Sequence, residues 1–305
     1  MLYKILFQRT SFLCLAITLF INCDTNEETQ DSKLTLSGAG VYAFDSYAPL
    51  ANKSINYFYY IPKSSTSNSA IFMVLPGAGR DAGALRDDLI AKADEKGIIV
   101  LALEFSSADF PGSDAYNLAN IFHDGDNPSP STLNPEAEWT FSVLDPIFED
   151  FKALSGNTTL SYDVFGHSAG AQMIHRYLIF KPQAKYNRLV SSAAGWYAVP
   201  NPTIEFPYGL RNSPAETTDP QAYFSKTAYV IVGQNDTDPN SFGLRHNEQA
   251  DQQGINRLER AQYFFQESFD LASSGNYDYK WQYRVVPNLG HEGAAMARFA
   301  MDFLY

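Results

Sequence analysis

The sequence predicts an α/β domain built on a mostly parallel central sheet with helices on both faces. Three observations carry that prediction. Short, continuous apolar runs alternate with stretches of helical period, the pattern of strands buried on both faces of a parallel sheet. Residues 70–103 read as strand, helix, strand at the spacing of a βαβ crossover. The pentapeptide Gly166-His167-Ser168-Ala169-Gly170 lies between one such strand and one such helix.

A chain of 305 residues can bury a substantial core, and α/β folds of this size are commonly one domain. The formal net charge of -12 excludes a nucleic-acid partner, because no basic surface is concentrated anywhere in the chain. Residues 1–22 read as a signal peptide, with Lys4 and Arg9 before an apolar segment too short to span a membrane comfortably. The stretch Leu19-Phe20-Ile21-Asn22-Cys23 resembles a bacterial lipoprotein cleavage box, which implies lipidation at Cys23. Asn22 departs from the small residue usual at that position, and the alternative is an ordinary secreted or periplasmic protein with an incidental Cys23. Residues 23–34 are polar and acidic, as a flexible tether would be. The only other cysteine, Cys14, lies in the signal, so the domain at 35–305 has no disulfide and no thiolate chemistry. The expectation is an exported, envelope-located protein touching membrane only through that anchor, with no cofactor; its oligomeric state is not legible.

The elements follow in order. Residues 55–61 read as a strand ended by Pro62, and 70–75 as a buried strand ended by Pro76-Gly77-Ala78-Gly79. Leu85, Leu89 and Ala93 recur every four positions, predicting a helix over 82–96 closed by Gly97. A strand follows at 98–103. Residues 106–137 carry no convincing period, and a connection of that length is usually functional or mobile. Trp139, Val143, Ile147, Phe151 and Leu154 predict a helix over 136–154, with Pro146 either kinking it or starting a second one capped by Asp145. Strands are predicted at 161–165, 188–194, 227–232 and 281–286. Helices are predicted at 172–178, 255–271 and 292–303, the second with Leu258, Gln262, Phe265 and Phe269 along its face. The proline-rich stretch 196–224 is a candidate lid or binding loop.

The chemistry gathers at strand ends, where parallel sheets bind their ligands. Four ends carry distinctive residues: Gly77-Ala78, Ser168, Asp236 and His291. A serine on a sharp strand-to-helix turn projects its hydroxyl clear of the backbone, and the turn leaves no room for side chains two residues to either side, hence Gly166 and Gly170. A serine hydroxyl needs an adjacent base, and His291 fits that role; Asp236 would fix its tautomer and stabilise the imidazolium. Asp238 is a rival for the acid. His246 also follows Asp236 but has no strand before it. Calcium-like spacing at Asp236-Thr237-Asp238-Pro239-Asn240 lacks the obligatory glycine and glutamate, so no metal site is expected.

With nucleophile, acid and histidine in that order, residues from about 55 to 305 resemble a serine α/β-hydrolase. The resemblance implies one oxyanion donor at the Ala169 backbone N–H and a second at Ala78. Pro76 stands where that family commonly has histidine. More loosely, the Gly-His-Ser-Ala-Gly elbow and the Gly-x-x-Asp acid resemble feruloyl esterases, acetyl esterases and polyhydroxyalkanoate depolymerases. The implied activity is hydrolysis of small or polymer-linked carboxylic esters through an acyl-enzyme. Trp139, Trp196 and Tyr197 are candidate linings of an apolar acyl pocket, or equally core residues. A peptidase or amidase of the same fold, and a non-catalytic binding protein on a hydrolase scaffold, are the alternatives.

Overall fold

The computed structural model describes residues 34–305, so the predicted signal, the Cys23 anchor and all but the last residue of the tether lie outside it. The strands are β1 Gly38–Phe44, β2 Ile55–Ile61, β3 Ile71–Leu75, β4 Ile99–Glu104, β5 Tyr162–His167, β6 Tyr186–Ser192, β7 Thr227–Gly233 and β8 Trp281–Val286. They form a single sheet in the order β1-β2-β4-β3-β5-β6-β7-β8. β2 pairs antiparallel with both β1 and β4, and every later pairing is parallel. The helices are α1 Ala82–Lys96, α2 Leu144–Ser155, α3 Ala169–Phe180, α4 Pro220–Phe224, α5 Glu248–Gln252, α6 Arg257–Ser274 and α7 Gly293–Leu304. This is the α/β-hydrolase architecture.

The apolar runs are continuous because both faces of the sheet are covered. Along β3, Phe72 and Val74 pack with Leu85, Leu89 and Ala93 of α1 and with Met296, Ala300 and Met301 of α7. Ile71, Met73 and Leu75 point the other way, into the larger core with Phe148 of α2, Met173 and Ile174 of α3, and Phe264 of α6. Alternation of period two divides each strand between two cores. Burial at about 25 cal/mol per Å² makes each of the Val, Leu, Ile, Phe and Met side chains among these worth roughly 1.5–3 kcal/mol. Helix α1 begins where Asp81 accepts the Ala84 N–H at 2.9 Å and ends at Gly97, whose φ of 67° is the left-handed conformation predicted for a terminating glycine.

Two helices differ from expectation. The stretch 136–154 is not one helix. It opens with two short 3-10 turns, Glu136–Glu138 and Thr140–Val143, before α2. Pro146 then sits in the first turn of α2, where its missing N–H leaves no bond unmade. Asp145 does not cap this helix: its carboxylate accepts the Tyr162 hydroxyl (2.8 Å), the Tyr177 hydroxyl (3.1 Å) and the Lys185 N–H (3.2 Å), tying α2 to β5 and α3. In α6 the inward face carries Arg257, Arg260, Ala261, Phe264 and Ser268, while Phe269 of the predicted apolar face is 45% exposed. Leu258 and Phe265 of the predicted face still pack against the core at its margin, but two of the most buried positions go to arginines that reach backbone carbonyls, a hydroxyl and carboxylates.

Candidate active site

Four strands of the parallel sheet deliver the site from their carboxyl ends. Ser168 joins β5 to α3 with φ 55° and ψ −113°, a conformation strained for a residue with a side chain. Bonds from the Ser168 N–H to the Ser192 carbonyl (2.9 Å) and from the Gln172 N–H to the Ser168 carbonyl (3.0 Å) hold it there. The two flanking glycines are sterically required. A Cβ on Gly166 would lie 2.5 Å from the Gly170 backbone, and one on Gly170 would lie 2.5 Å from the Leu75 carbonyl oxygen and 2.7 Å from that of Pro76. The elbow is thus wedged against the end of β3 and the loop that follows it.

Asp236 follows β7, and its carboxylate is almost wholly buried. Its Oδ2 accepts the His291 Nδ1–H at 2.7 Å, which leaves Nε2 of His291 unprotonated in the neutral ring and able to accept a proton. On its other side, Oδ1 lies 3.5 Å from Nη1 of the equally buried Arg257. Arg257 also donates to the Ser241 hydroxyl (2.6 Å) and the Phe242 carbonyl (3.4 Å), so one guanidinium joins the acid to the segment 241–242. The loops carrying acid and base cross closely: the Asn235 N–H bonds the Leu289 carbonyl at 2.8 Å, and a Cβ on Gly233 would meet the Gly290 carbonyl oxygen at 2.3 Å. Beneath His291 lies the His167 ring, 4.4 Å between centroids, with its Nδ1 3.2 Å from the Ser192 hydroxyl. Burial first, and the neighbouring His291 and Arg257 second, hold the His167 pKa well below the ordinary histidine value. It is a neutral ring packed against His291.

Ser168, Ala169, His291 and Ala78 line one cavity of about 300 Å³, whose remaining walls include Asn117, Gln172, Phe242 and Arg257. The loop bearing Ala78 is clamped from two directions. The buried Tyr116 hydroxyl donates to the Pro76 carbonyl at 2.7 Å. Arg80, its guanidinium 3.8 Å from the Tyr116 ring centroid, donates to the carbonyls of Phe105 (2.6 Å) and Gly112 (3.0 Å). Helix α3 starts at Ala169, so the positive end of its dipole and an unpaired backbone N–H face the same cavity. Such an arrangement can generate an alkoxide-like nucleophile and stabilise an oxyanion beside it.

The sequence-predicted residues divide cleanly. Ser168, Ala169, Ala78 and His291 share the cavity, with Asp236 behind His291. Asp238 instead accepts the Asn240 N–H at 2.9 Å, and His246 faces Asp251 and the Pro239 carbonyl. Trp139, Trp196 and Tyr197 do not line the cavity. Trp139 packs edge-on against Phe141 and Phe180, Tyr197 stacks on Phe264 at 4.4 Å, and Trp196 is sandwiched between the guanidinium groups of Arg176 (4.5 Å) and Arg245 (4.7 Å). Sequence reasoning missed Asn117, Gln172, Phe242, Arg257 and Tyr116. Only Gln172 had a visible signal: four residues after Ser168, it shares the face of the helix that starts at the nucleophile.

No family model matches the chain, and no curated protein sequence matches it. Solved structures do. Poly(aspartic acid) hydrolase-1 from Sphingomonas sp. KT-1 is 34% identical over 87% of this chain and 98% of its own, with a TM-score of 0.80. A poly(3-hydroxybutyrate) depolymerase from Bordetella parapertussis is 23% identical, covering 88% of this chain and 90% of its own at a TM-score of 0.81. The substrate-bound fluorophosphonate-binding serine hydrolase F of Staphylococcus aureus shares the fold at 12% identity and a TM-score of 0.55, over 88% of this chain and 99% of that one. Carried by the 34% identity across nearly the whole domain, the conclusion is that this chain belongs to the same α/β-hydrolase family as that poly(aspartic acid) hydrolase.

Proposed function

We propose that the protein is an exported, lipid-anchored carboxylic ester hydrolase that works through an acyl-enzyme on Ser168. In this reading His291 Nε2 takes the Ser168 proton as the hydroxyl oxygen attacks the ester carbonyl. The oxyanion is held by the backbone N–H groups of Ala169 and Ala78. His291 then passes the proton to the departing alcohol, and a water activated by the same nitrogen releases the acid. Asp236 holds the imidazole in the required tautomer. The single observation that supports the reading is that the strained Ser168 lines one cavity together with His291, whose Nδ1 is paired with Asp236 at 2.7 Å. Export and anchoring rest on the sequence of residues 1–23 alone.

The test is hydrolysis of p-nitrophenyl acetate and butanoate by the purified protein and by Ser168→Ala. Turnover that disappears in the variant is the expected result. Turnover that persists, or a folded wild type with none, overturns the proposal.

One observation favours a second reading, an amidase. A poly(aspartic acid) is a polyamide, and the 34% identical structure is named for hydrolysing it. Against that particular substrate stands the net charge of -12, which repels a polyanion. Cleavage of p-nitroanilides faster than the matched p-nitrophenyl esters would select the amidase.

A further inference from the structure

The cavity wall contains a polar group that the acyl-transfer steps do not use. Gln172 stands one helical turn after Ser168 on α3, lines the cavity and is 6% exposed. Its backbone N–H is satisfied by the Ser168 carbonyl, but its side-chain Oε1 is buried without a hydrogen-bond partner. A buried acceptor left unmade costs roughly 1–3 kcal/mol, and of the buried side-chain polar atoms without a partner among the described residues, Gln172 Oε1 is the amide oxygen on a residue that lines this cavity. The room for this carboxamide is made by Gly195, three residues after β6. A Cβ there would lie 2.8 Å from Gln172 Nε2, and the Gly195 carbonyl is fixed by a 2.6 Å bond from the fully buried Arg260. Asn117, from the long loop after β4, presents a second carboxamide-bearing residue to the same cavity.

We propose that Gln172 is a specificity-determining residue that hydrogen-bonds a neutral polar substituent, such as a hydroxyl, on the acyl portion of the substrate. The proposal rests on the acyl-enzyme reading above. In that reading the acyl group stays attached to Ser168 through both half-reactions, one helical turn from the buried Gln172 that lines the same cavity. The leaving group departs past His291 towards the rim, where the Phe242 side chain is 99% exposed. A carboxamide has a donor and an acceptor that exchange by a half-turn of its terminal torsion, so it matches a hydroxyl in either sense. A purely apolar acyl chain leaves Oε1 unmatched, as it is in the free protein, whereas a hydroxyl gains a bond there. The cavity therefore favours an acyl group that carries a polar substituent within reach of Gln172 over the apolar analogue that lacks it.

The experiment compares kcat/KM for p-nitrophenyl 3-hydroxybutanoate and for its near-isostere p-nitrophenyl 3-methylbutanoate, in wild type and in Gln172→Met. Expected is a wild-type preference of about tenfold or more for the hydroxyl, the equivalent of one hydrogen bond, collapsing to near unity in the variant. A wild-type ratio near one overturns the proposal without recourse to the variant, which covers the case in which Gln172→Met does not fold. A ratio unchanged by the substitution overturns it as well. Fluorophosphonate labelling of the wild type separates the two levels: labelling with no acyl preference sinks only the role of Gln172, whereas no labelling and no turnover sinks the hydrolase reading on which it stands.

Discussion

Replacing Gly170 by alanine tests whether the elbow's geometry, and not merely its residue types, carries the chemistry. The added Cβ would lie 2.5 Å from the Leu75 carbonyl oxygen, about 0.9 Å inside the 3.4 Å at which ordinary contact begins, and 2.7 Å from the Pro76 carbonyl oxygen. Both clashes are with backbone, so no side-chain rotation relieves them. Either the first turn of α3 moves away from β3 or the loop carrying Ala78 moves away from Ser168. Overpacking of this kind costs roughly 1–3 kcal/mol in stability. A misplacement of about 1 Å between a nucleophile and the groups that serve it costs on the order of 100-fold in rate. The expected result is therefore a folded protein, melting a few degrees lower, whose kcat on p-nitrophenyl butanoate falls about 100-fold while KM changes little. A variant within threefold of wild-type kcat would refute the claim that the close approach of α3 to the β3 loop sets the catalytic geometry.

Three further outcomes are expected. Tyr116→Phe removes the 2.7 Å bond to the Pro76 carbonyl and leaves that buried acceptor unmade, so stability drops by about 1–3 kcal/mol and kcat falls about tenfold; a thermal shift with unchanged kcat would make the tyrosine purely structural. Asp236→Asn lowers kcat by about 10⁴ through the wrong His291 tautomer, whereas Asp238→Asn, which removes only a turn-capping carboxylate, stays within threefold; steady-state kinetics of the pair decide which acid serves His291. Burial holds both His167 and His175 neutral in the folded state, with their pKa values well below the ordinary 6.5, so the unfolded chain binds more protons than the native one as pH falls through that value. Stability is thus full above about pH 6.5 and declines below it, by up to roughly 1.4 kcal/mol per pH unit for each histidine, and urea melts at pH 7.5 and 5.5 that coincide would contradict this.

Much of the fold is legible because local and tertiary demands agree. The runs at 70–75 and 227–232 read as strands buried on both faces and are so, and Gly97 ends α1 as its position predicts. The glycines at 166 and 170 are legible for the same reason: the motif and the steric requirement coincide. What the chain does not reveal locally is anything decided by distant partners. Asp145 looks like a cap, yet it is spent on two tyrosines and a backbone amide from β5, α3 and the segment before β6. Arg257 and Arg260 fall on what reads as a surface face of α6, and only the positions of Asp236, Gly195 and Asp251 explain why they are inside. Trp139, Trp196 and Tyr197 are large and aromatic, which suits a pocket or a core equally, and their neighbours place them in the core. Conversely, Gln172 is polar on a helix buried along its whole length, a local conflict that marks a site.

The central claim is that Ser168 is the nucleophile activated by His291. The most direct measurement is intact-mass and peptide-mapping analysis after reaction with a fluorophosphonate, in wild type and in His291→Ala. One adduct per chain, mapped to the peptide containing Ser168 and formed at least 1,000-fold more slowly in the histidine variant, is the predicted result. An adduct on another residue, or labelling of Ser168 at an unchanged rate without His291, would contradict it.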